Sequence, residues 1–201
     1  SVSNPALTKF GRIYVWRGIT GNDKYKIYIP GETDDVWTEN TLGAANIGWW
    51  EDNVARGSSA KNAGVVREEE AIIVLDLGIP TWRLYSERAT TVESAKLSEV
   101  FIRGDFNGKD WSDGTQIEMT RNVTYPNIWM VENLEVEVGK AGQMKFLADG
   151  LWYGYGSSVE EIKASAQLSS DVSAQNINLP TGKYNIYFNS LYKSYSAIKI
   201  E

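Results

Sequence analysis

Two stretches in the second half of the chain decide the fold: Phe101-Ile102-Arg103-Gly104-Asp105-Phe106-Asn107-Gly108-Lys109-Asp110-Trp111 and Met144-Lys145-Phe146-Leu147-Ala148-Asp149-Gly150-Leu151-Trp152-Tyr153-Gly154-Tyr155. Each begins with residues of strand character and ends in a turn that carries a tryptophan, with polar residues beside it. They therefore predict two strands whose following turns each present an indole ring.

Segments of strand character dominate the rest of the chain as well. The run Leu134–Val138 alternates apolar and charged residues, which is the period-two pattern of a strand with one face in water. Turn signals such as Pro30-Gly31 and Asp113-Gly114 recur at the intervals typical of a β-sandwich. Helical patterns are scarce, and Val159–Lys163 is predicted as one short turn. The other predicted strands are Arg12–Trp16, Lys24–Ile29, Ala71–Leu77, Thr81–Tyr85, Val100–Arg103, Trp129–Val138, Gln143–Leu147, Tyr184–Asn189 and Tyr195–Ile200.

The length of 201 residues suits two β domains of about 100 residues each. The stretch Ser86–Ser98 is polar, lacks glycine and proline, and is interpreted as the linker between them. A weak internal repeat agrees with this division, since Lys24–Tyr28 followed by Trp37 resembles Gln143–Leu147 followed by Trp152. We therefore predict an all-β protein of two tandem immunoglobulin-like β-sandwich domains, residues 1–92 and residues 93–201.

Composition excludes several classes of partner and chemistry. The formal net charge is −6 and there is no basic run, which argues against nucleic acid or an anionic membrane surface as the partner. The chain has no cysteine and no histidine, so disulfides, thiolate nucleophiles, Cys/His zinc sites and a Ser–His–Asp triad are excluded. The spacing of Asp105, Asp110 and Asp113 does not fit a calcium loop. We predict neither a metal nor a cofactor.

The aromatic load is high, with eight tryptophans and eleven tyrosines. A flat ring flanked by amide, carboxylate and ammonium groups is the usual chemistry for holding a sugar, because the apolar face of the pyranose stacks on the ring and its hydroxyls need hydrogen-bond partners. Trp111 and Trp152 lie in turns with such neighbours. Phe106, Trp129, Trp16 and Trp82 lie in or beside strand patterns and are predicted to belong to the core.

The motifs of the second half also resemble a known group of modules. Gly104–Trp111, Met144–Phe146 and Asp149–Trp152 are similar to the turn and strand-turn of the glycogen- and starch-binding modules of isoamylase and AMP-activated kinase type. The fuller pattern, with the closing hairpin Gly182–Ile186, resembles the SusE/SusF-like outer-membrane lipoproteins, which bind glycans for polysaccharide import systems. The resemblance covers about residues 99–201. In the first half, Ile19–Asp23 stands where the Gly-Asp-Phe-Asn turn would be.

This resemblance implies a non-catalytic protein that binds a polysaccharide or oligosaccharide, with an α-glucan as the candidate. Trp111 and Trp152 would be the stacking platforms and Lys145 a donor to sugar hydroxyls. Of Tyr153 and Tyr155, one is expected to extend the platform and the other to pack inward. The resemblance further implies a cell-surface, outer-membrane lipoprotein that accompanies glycan transporter components. Because the chain begins at Ser1 without methionine, we expect that any export signal or lipid anchor was removed.

The first half carries a second candidate site. Trp49 and Trp50 are adjacent, and two neighbouring residues of a strand cannot both face the core. With Glu51–Asn53 and the weaker candidate Trp37, they form a possible second sugar patch. The competing interpretation is a long loop, Thr38–Gly64, folded back over a small core.

Two other functions stay open at this stage. A glycoside hydrolase needs two carboxylates about 5–10 Å apart around a cleft, and no acidic residue here lies in a recognisable catalytic motif. We therefore predict that the protein is not an enzyme. A protein-interaction or scaffold module of a surface glycan-uptake complex is the second alternative, because tyrosine and tryptophan are also enriched in protein interfaces.

Overall fold

The computed structural model describes residues 6–21, 24–28, 41–44, 51–56, 59–64, 68–77, 83–137, 142–155, 165–170 and 174–200. The predicted all-β class is confirmed. The strands are β1 (Thr8–Phe10), β2 (Ile13–Ile19), β3 (Lys24–Tyr25), β4 (Ile27–Tyr28), β5 (Thr41–Ala44), β6 (Glu51–Arg56), β7 (Ala63–Gly64), β8 (Glu70–Asp76), β9 (Arg83–Arg88), β10 (Val100–Asp105), β11 (Ile117–Glu118), β12 (Thr120–Arg121), β13 (Ile128–Val136), β14 (Gly142–Ala148), β15 (Leu151–Tyr153), β16 (Ser165–Gln167), β17 (Ile177–Leu179), β18 (Gly182–Asn189) and β19 (Ser194–Lys199).

Helical structure is limited to α1 (Ala89–Ser94) and a 3-10 turn at Asp113–Thr115 within the described ranges. The short turn predicted at Val159–Lys163 lies outside the described residues. No helix in this part of the chain has the length and hydropathy that crossing a membrane requires.

Contacts divide the chain into two units. The first unit comprises Ser1–Lys9 and Ile13–Ser94, and the second comprises Phe10–Arg12 and Ala95–Glu201. The division after Ser94 falls two residues beyond the boundary predicted from the polar composition. Residues 10–12 join the second unit although they are far from it in sequence.

The first unit contains a seven-stranded sheet with the order β1-β2-β8-β9-β6-β5-β4, together with a β3–β7 ribbon. Strand β8 is central, and all of its residues after Glu70 are buried, so both of its faces are covered. Such continuous burial explains why its sequence is apolar without alternation. One face contributes to a core cluster of Ile27, Ala63, Ala71, Ile73, Leu75 and Leu84, against which the half-buried Trp16 packs.

The prediction of a linker at Ser86–Ser98 is wrong for most of that stretch. Residues 86–88 continue β9, and the next six residues form α1. Ala89 and Val92 are buried at 1% and 2% exposure, and their spacing of three places both on one side of the helix. The stretch lacks glycine and proline, which permits a helix. The burial of Ala89 and Val92 packs this short helix against the rest of the protein.

The second unit is a sandwich of two five-stranded sheets. The front sheet has the order β11-β10-β14-β15, with β17 also paired to β14, and the back sheet has the order β12-β13-β18-β19-β16. Phe146 of the front sheet meets Phe188 and Tyr195 of the back sheet, with ring centroids 5.1 and 5.7 Å apart. The core therefore lies between the sheets.

Two aromatic residues predicted to be core are confirmed there, since Phe106 is 2% and Trp129 4% exposed. Trp82, also predicted to be core, lies outside the described residues. Tyr155 and Tyr195 share a buried hydrogen bond between their hydroxyls at 2.6 Å. Burial raises the pKa of Tyr195, so its hydroxyl stays neutral across the ordinary pH range.

Candidate functional site

The loop between β10 and β11 is shaped first by a tight turn. The amide of Lys109 donates to the carbonyl of Phe106 at 2.9 Å, and the two central residues, Asn107 and Gly108, have φ of 57° and 71°. Two positive φ angles are the signature of a type I′ turn, for which Asn-Gly is the preferred sequence. Phe106 anchors the turn in the core.

The side chain of Asn107 fastens this loop to the end of β13. Its Oδ1 accepts from the amide of Glu137 at 2.8 Å, and its Nδ2 donates to the carbonyl of Glu135. An asparagine amide supplies a donor and an acceptor at once, so this one side chain makes both hydrogen bonds between the loop and the end of β13. Asn107 thus adds side-chain bonds to the backbone hydrogen bond from Lys109 to Phe106 that holds the start of the loop.

Asp110 organises the residues around Trp111. Its carboxylate accepts from the amide of Ser112 at 2.9 Å, and the hydroxyl of Thr115 donates to its carbonyl at 2.6 Å. The hydrogen bonds from Ser112 hold the pKa of Asp110 below its ordinary value. Asp110 therefore builds the local turn that carries Trp111.

A second tight turn positions Trp152. Strands β14 and β15 are joined by Asp149 and Gly150 alone, with φ of 45° and 79°. The carboxylate of Asp149 accepts from the amides of Ser98 and Glu99 at 2.9 and 3.0 Å. The hairpin is thus hydrogen-bonded to the segment preceding β10, and Trp152 lies two residues after the turn.

The two turns bring Trp111 and Trp152 together. Their ring centroids are 6.2 Å apart and their planes are inclined at 57°. Trp152 is 37% exposed and Trp111 is half-buried. The pair forms a bent aromatic surface, one side supplied by a loop and the other by a strand.

Beside these rings lies the outer face of the front sheet, where opposite residues share a face and form rows. One row is apolar, because Phe101 is opposite Leu147 and Leu147 is opposite Trp152. The next row is cationic, with Arg103 opposite Lys145. The third row is polar: Asp105 opposite Gln143, which is opposite Asn178.

Arg103 lies in the candidate site although no sequence motif points to it. Its guanidinium carbon lies 5.4 Å from the centre of the Trp152 ring, within cation–π range. Its Nε donates to Oε1 of Gln116 at 2.8 Å, which fixes the plane of the group. The signal that reveals Arg103 is the strand alternation, which places it on the same face as Phe101 and Asp105.

Lys145, a predicted site residue, lies on the same outer face and is half-buried. It makes no hydrogen bond or ion pair with any other residue that the structure describes. Gly154, the residue after β15, lies beside Lys145, and a Cβ added to this glycine would lie 3.3 Å from Cε of Lys145. The glycine therefore leaves room for the lysine stem, and the ammonium group is available to a ligand.

The structure corrects the expectation for Tyr153 and Tyr155. They are 7% and 2% exposed, and both belong to the core cluster. Tyr153 follows Trp152 on the strand and so points inward, with its ring 6.1 Å from that of Phe188. Tyr155 also points inward, because it has the parity of Tyr153. Neither extends the exposed platform.

The second candidate site cannot be placed. Trp37, Trp49 and Trp50 lie outside the described residues. Glu51–Asn53 begin β6 and pair with β9. Over the described ranges, no group of three or more acidic side chains is arranged to hold a metal ion.

Comparison with known proteins gives one result of note. No family model and no curated protein matches the chain. Among solved structures it is similar to SusF from Bacteroides thetaiotaomicron, with a TM-score of 0.40 and 18% identity over 73% of this chain. The match spans 32% of that SusF chain, so this chain corresponds to about a third of its length. A likeness of this level assigns neither family nor function.

Proposed function

We propose that this protein is a non-catalytic carbohydrate-binding protein whose saccharide rests on Trp111 and Trp152. The observation that carries the proposal is the meeting of the two indoles, 6.2 Å apart, at the edge of a solvent-facing sheet. An exposed ring of this size needs a partner to offset its contact with water. A pyranose supplies one, because its axial hydrogens present an apolar face.

The geometry favours a bent glycan over a flat one. Rings inclined at 57° do not form a single plane, so a chain that stacks on both must turn between successive sugars. This agrees with the α-glucan implied by the sequence resemblance. Lys145 and Gln143 on the adjacent rows supply a donor and an amide for hydroxyls.

The test is affinity electrophoresis in gels that contain a polysaccharide. The wild-type protein should be retarded by at least one glycan, and Trp152→Ala should migrate as in a gel without glycan. Loss of one stacking ring is worth about 1–3 kcal/mol in comparable base-stacking sites, which is about a 5- to 150-fold fall in affinity.

Leu151→Ala is the matched control. Leu151 is 56% exposed and adjoins Trp152, but it points to the opposite side of the strand. Its removal should leave retardation unchanged. Equal migration of wild type and Trp152→Ala on every glycan tested would refute the proposal.

We also propose a cell-surface location as an outer-membrane lipoprotein that accompanies glycan transporter components. Only the sequence resemblance supports this. Protease treatment of intact cells that express the full-length protein tests it, since a surface protein is digested and an internal one is protected.

The alternative is a protein-interaction module of a surface glycan-uptake complex. It is favoured by the exposure of Leu151 and Trp152 on the two sides of β15, because exposed apolar side chains at neighbouring positions are common in protein interfaces. In this case Leu151→Ala and Trp152→Ala should both weaken co-purification with transporter components, while no glycan retards the protein.

A further inference from the structure

The cationic row on the outer face of the front sheet places two like charges side by side. Arg103 and Lys145 are directly opposite each other, which places their Cβ atoms about 5 Å apart. Like charges in opposite positions destabilise a sheet. The protein therefore keeps an unfavourable pair at the position that adjoins Trp152.

The carboxylates of this face do not compensate Lys145. Asp105 is the next outward residue on β10, and Glu118 is opposite Phe101 on β11. Neither forms an ion pair with Lys145 in the structure as described. Asp105 lies in the polar row on one side of the cationic row, and Glu118 lies at the β11 end of the apolar row whose other end is Trp152.

Arg103 is held ready for a planar anion. Gln116 fixes its Nε at 2.8 Å and the Trp152 ring lies beneath it at 5.4 Å. A guanidinium presents a fork of donors that matches the two oxygens of a carboxylate or sulfate, and an ammonium beside it adds a point charge. A neutral hydroxyl needs only a single donor or acceptor, so a guanidinium and an ammonium side by side suit an anion better.

We infer that the saccharide bound at this platform is acidic, with a carboxylate or sulfate that sits between Arg103 and Lys145 while its ring stacks on Trp152. This inference rests on the proposed function and refines its ligand class. It differs from the neutral α-glucan implied by the sequence resemblance. The net charge of −6 opposes long polyanions at a distance, so the favoured ligand carries acidic units on an otherwise neutral chain.

The experiment compares matched glycans by titration calorimetry. The probes are oligogalacturonate and its carboxyl-reduced form, a sulfated galactan and its desulfated form, and a malto-oligosaccharide. Wild type should bind at least one acidic probe about tenfold more tightly than its neutral form, and added NaCl should weaken only the acidic complex. The carboxylate and sulfate arms show which anion is preferred.

The variants Arg103→Gln and Lys145→Gln should each lower the affinity for the acidic probe more than the affinity for its neutral form, and so remove most of that preference. Lys61→Gln, an exposed lysine of the first unit, is the control with the same change in charge. If the neutral forms bind as tightly as the acidic ones and depend on Trp152, the inference is wrong and the proposed function stands. If no probe binds in a Trp152-dependent way, both are wrong.

Discussion

At the scale of single residues, the site depends on polar side chains that shape the backbone. Asn107, Asp110 and Asp149 each accept hydrogen bonds from backbone amides and thereby fix the two turns. The bond to Asp110 is local, of the kind that makes these residue types common in turns, whereas those to Asn107 and Asp149 come from residues 30 and 51 positions away. The indoles are positioned by polar neighbours as much as by packing.

Asp110 gives a prediction for pH. Its pKa is lower in the folded chain than its ordinary value of 3.8, so its contribution to stability is present above about pH 4 and is lost as the pH falls below that. We expect the indole NMR signal of Trp111 to shift and broaden below about pH 4. Asp110→Asn, which keeps an acceptor oxygen without charge, should flatten this titration. An identical titration in the variant would show that another group controls the loop.

The sequence identified Trp111, Trp152 and Lys145, and the structure does bring them to one face. It did not identify Arg103, because membership of the face depends on the register between β10 and β14 as well as on strand parity. It also expected one of Tyr153 and Tyr155 to extend the platform, whereas the two share strand parity and both face the core. Which set of alternating residues faces the core is decided by the sheet that packs against that face.

At the scale of elements, the pairing of β10 with β14 depends on a glycine. A Cβ at Gly104 would overlap the carbonyl oxygen of Gln143 and lie 2.8 Å from Cα of Met144. This close approach of two backbones explains the glycine in the motif that opens the Trp111 loop. No side chain fits there unless the strands separate.

Gly104→Ala should therefore destabilise the protein by about 1–3 kcal/mol, as overpacking does. Gly114→Ala is the matched control, because nothing lies within 4 Å of its added Cβ. It should change stability by less than about 0.5 kcal/mol. Urea unfolding followed by near-ultraviolet circular dichroism measures both. Equal midpoints for the two variants would contradict the close-packing explanation.

At the scale of the whole molecule, the two units do not follow the chain in simple order. Residues 10–12 belong with the second unit, where Phe10 contacts Tyr125 and Tyr187 edge-on at 5.7 Å each. A division read along a sequence treats each domain as one contiguous piece. The assignment of these residues depends on contacts between residues more than 100 positions apart.

Phe10→Ala should destabilise the second unit by about 3 kcal/mol, since it removes a buried ring. Leu7→Ala is the counterpart, because Leu7 packs against the core cluster of the first unit. Hydrogen exchange read by mass spectrometry should show faster exchange in β18 for the first variant and in β8 for the second. The reverse pattern, or the same pattern in both, would refute the assignment.

The alternation along β10 and β14 separates what holds the fold from what meets the ligand. Every second residue, such as Ile102 or Phe146, is fully buried, while its neighbours Arg103 and Lys145 face outward. Exchanging an outward residue leaves the inward layer untouched. The scaffold should therefore accept new recognition chemistry by directed evolution at these outward positions with little loss of expression, which makes it a starting point for engineered lectins.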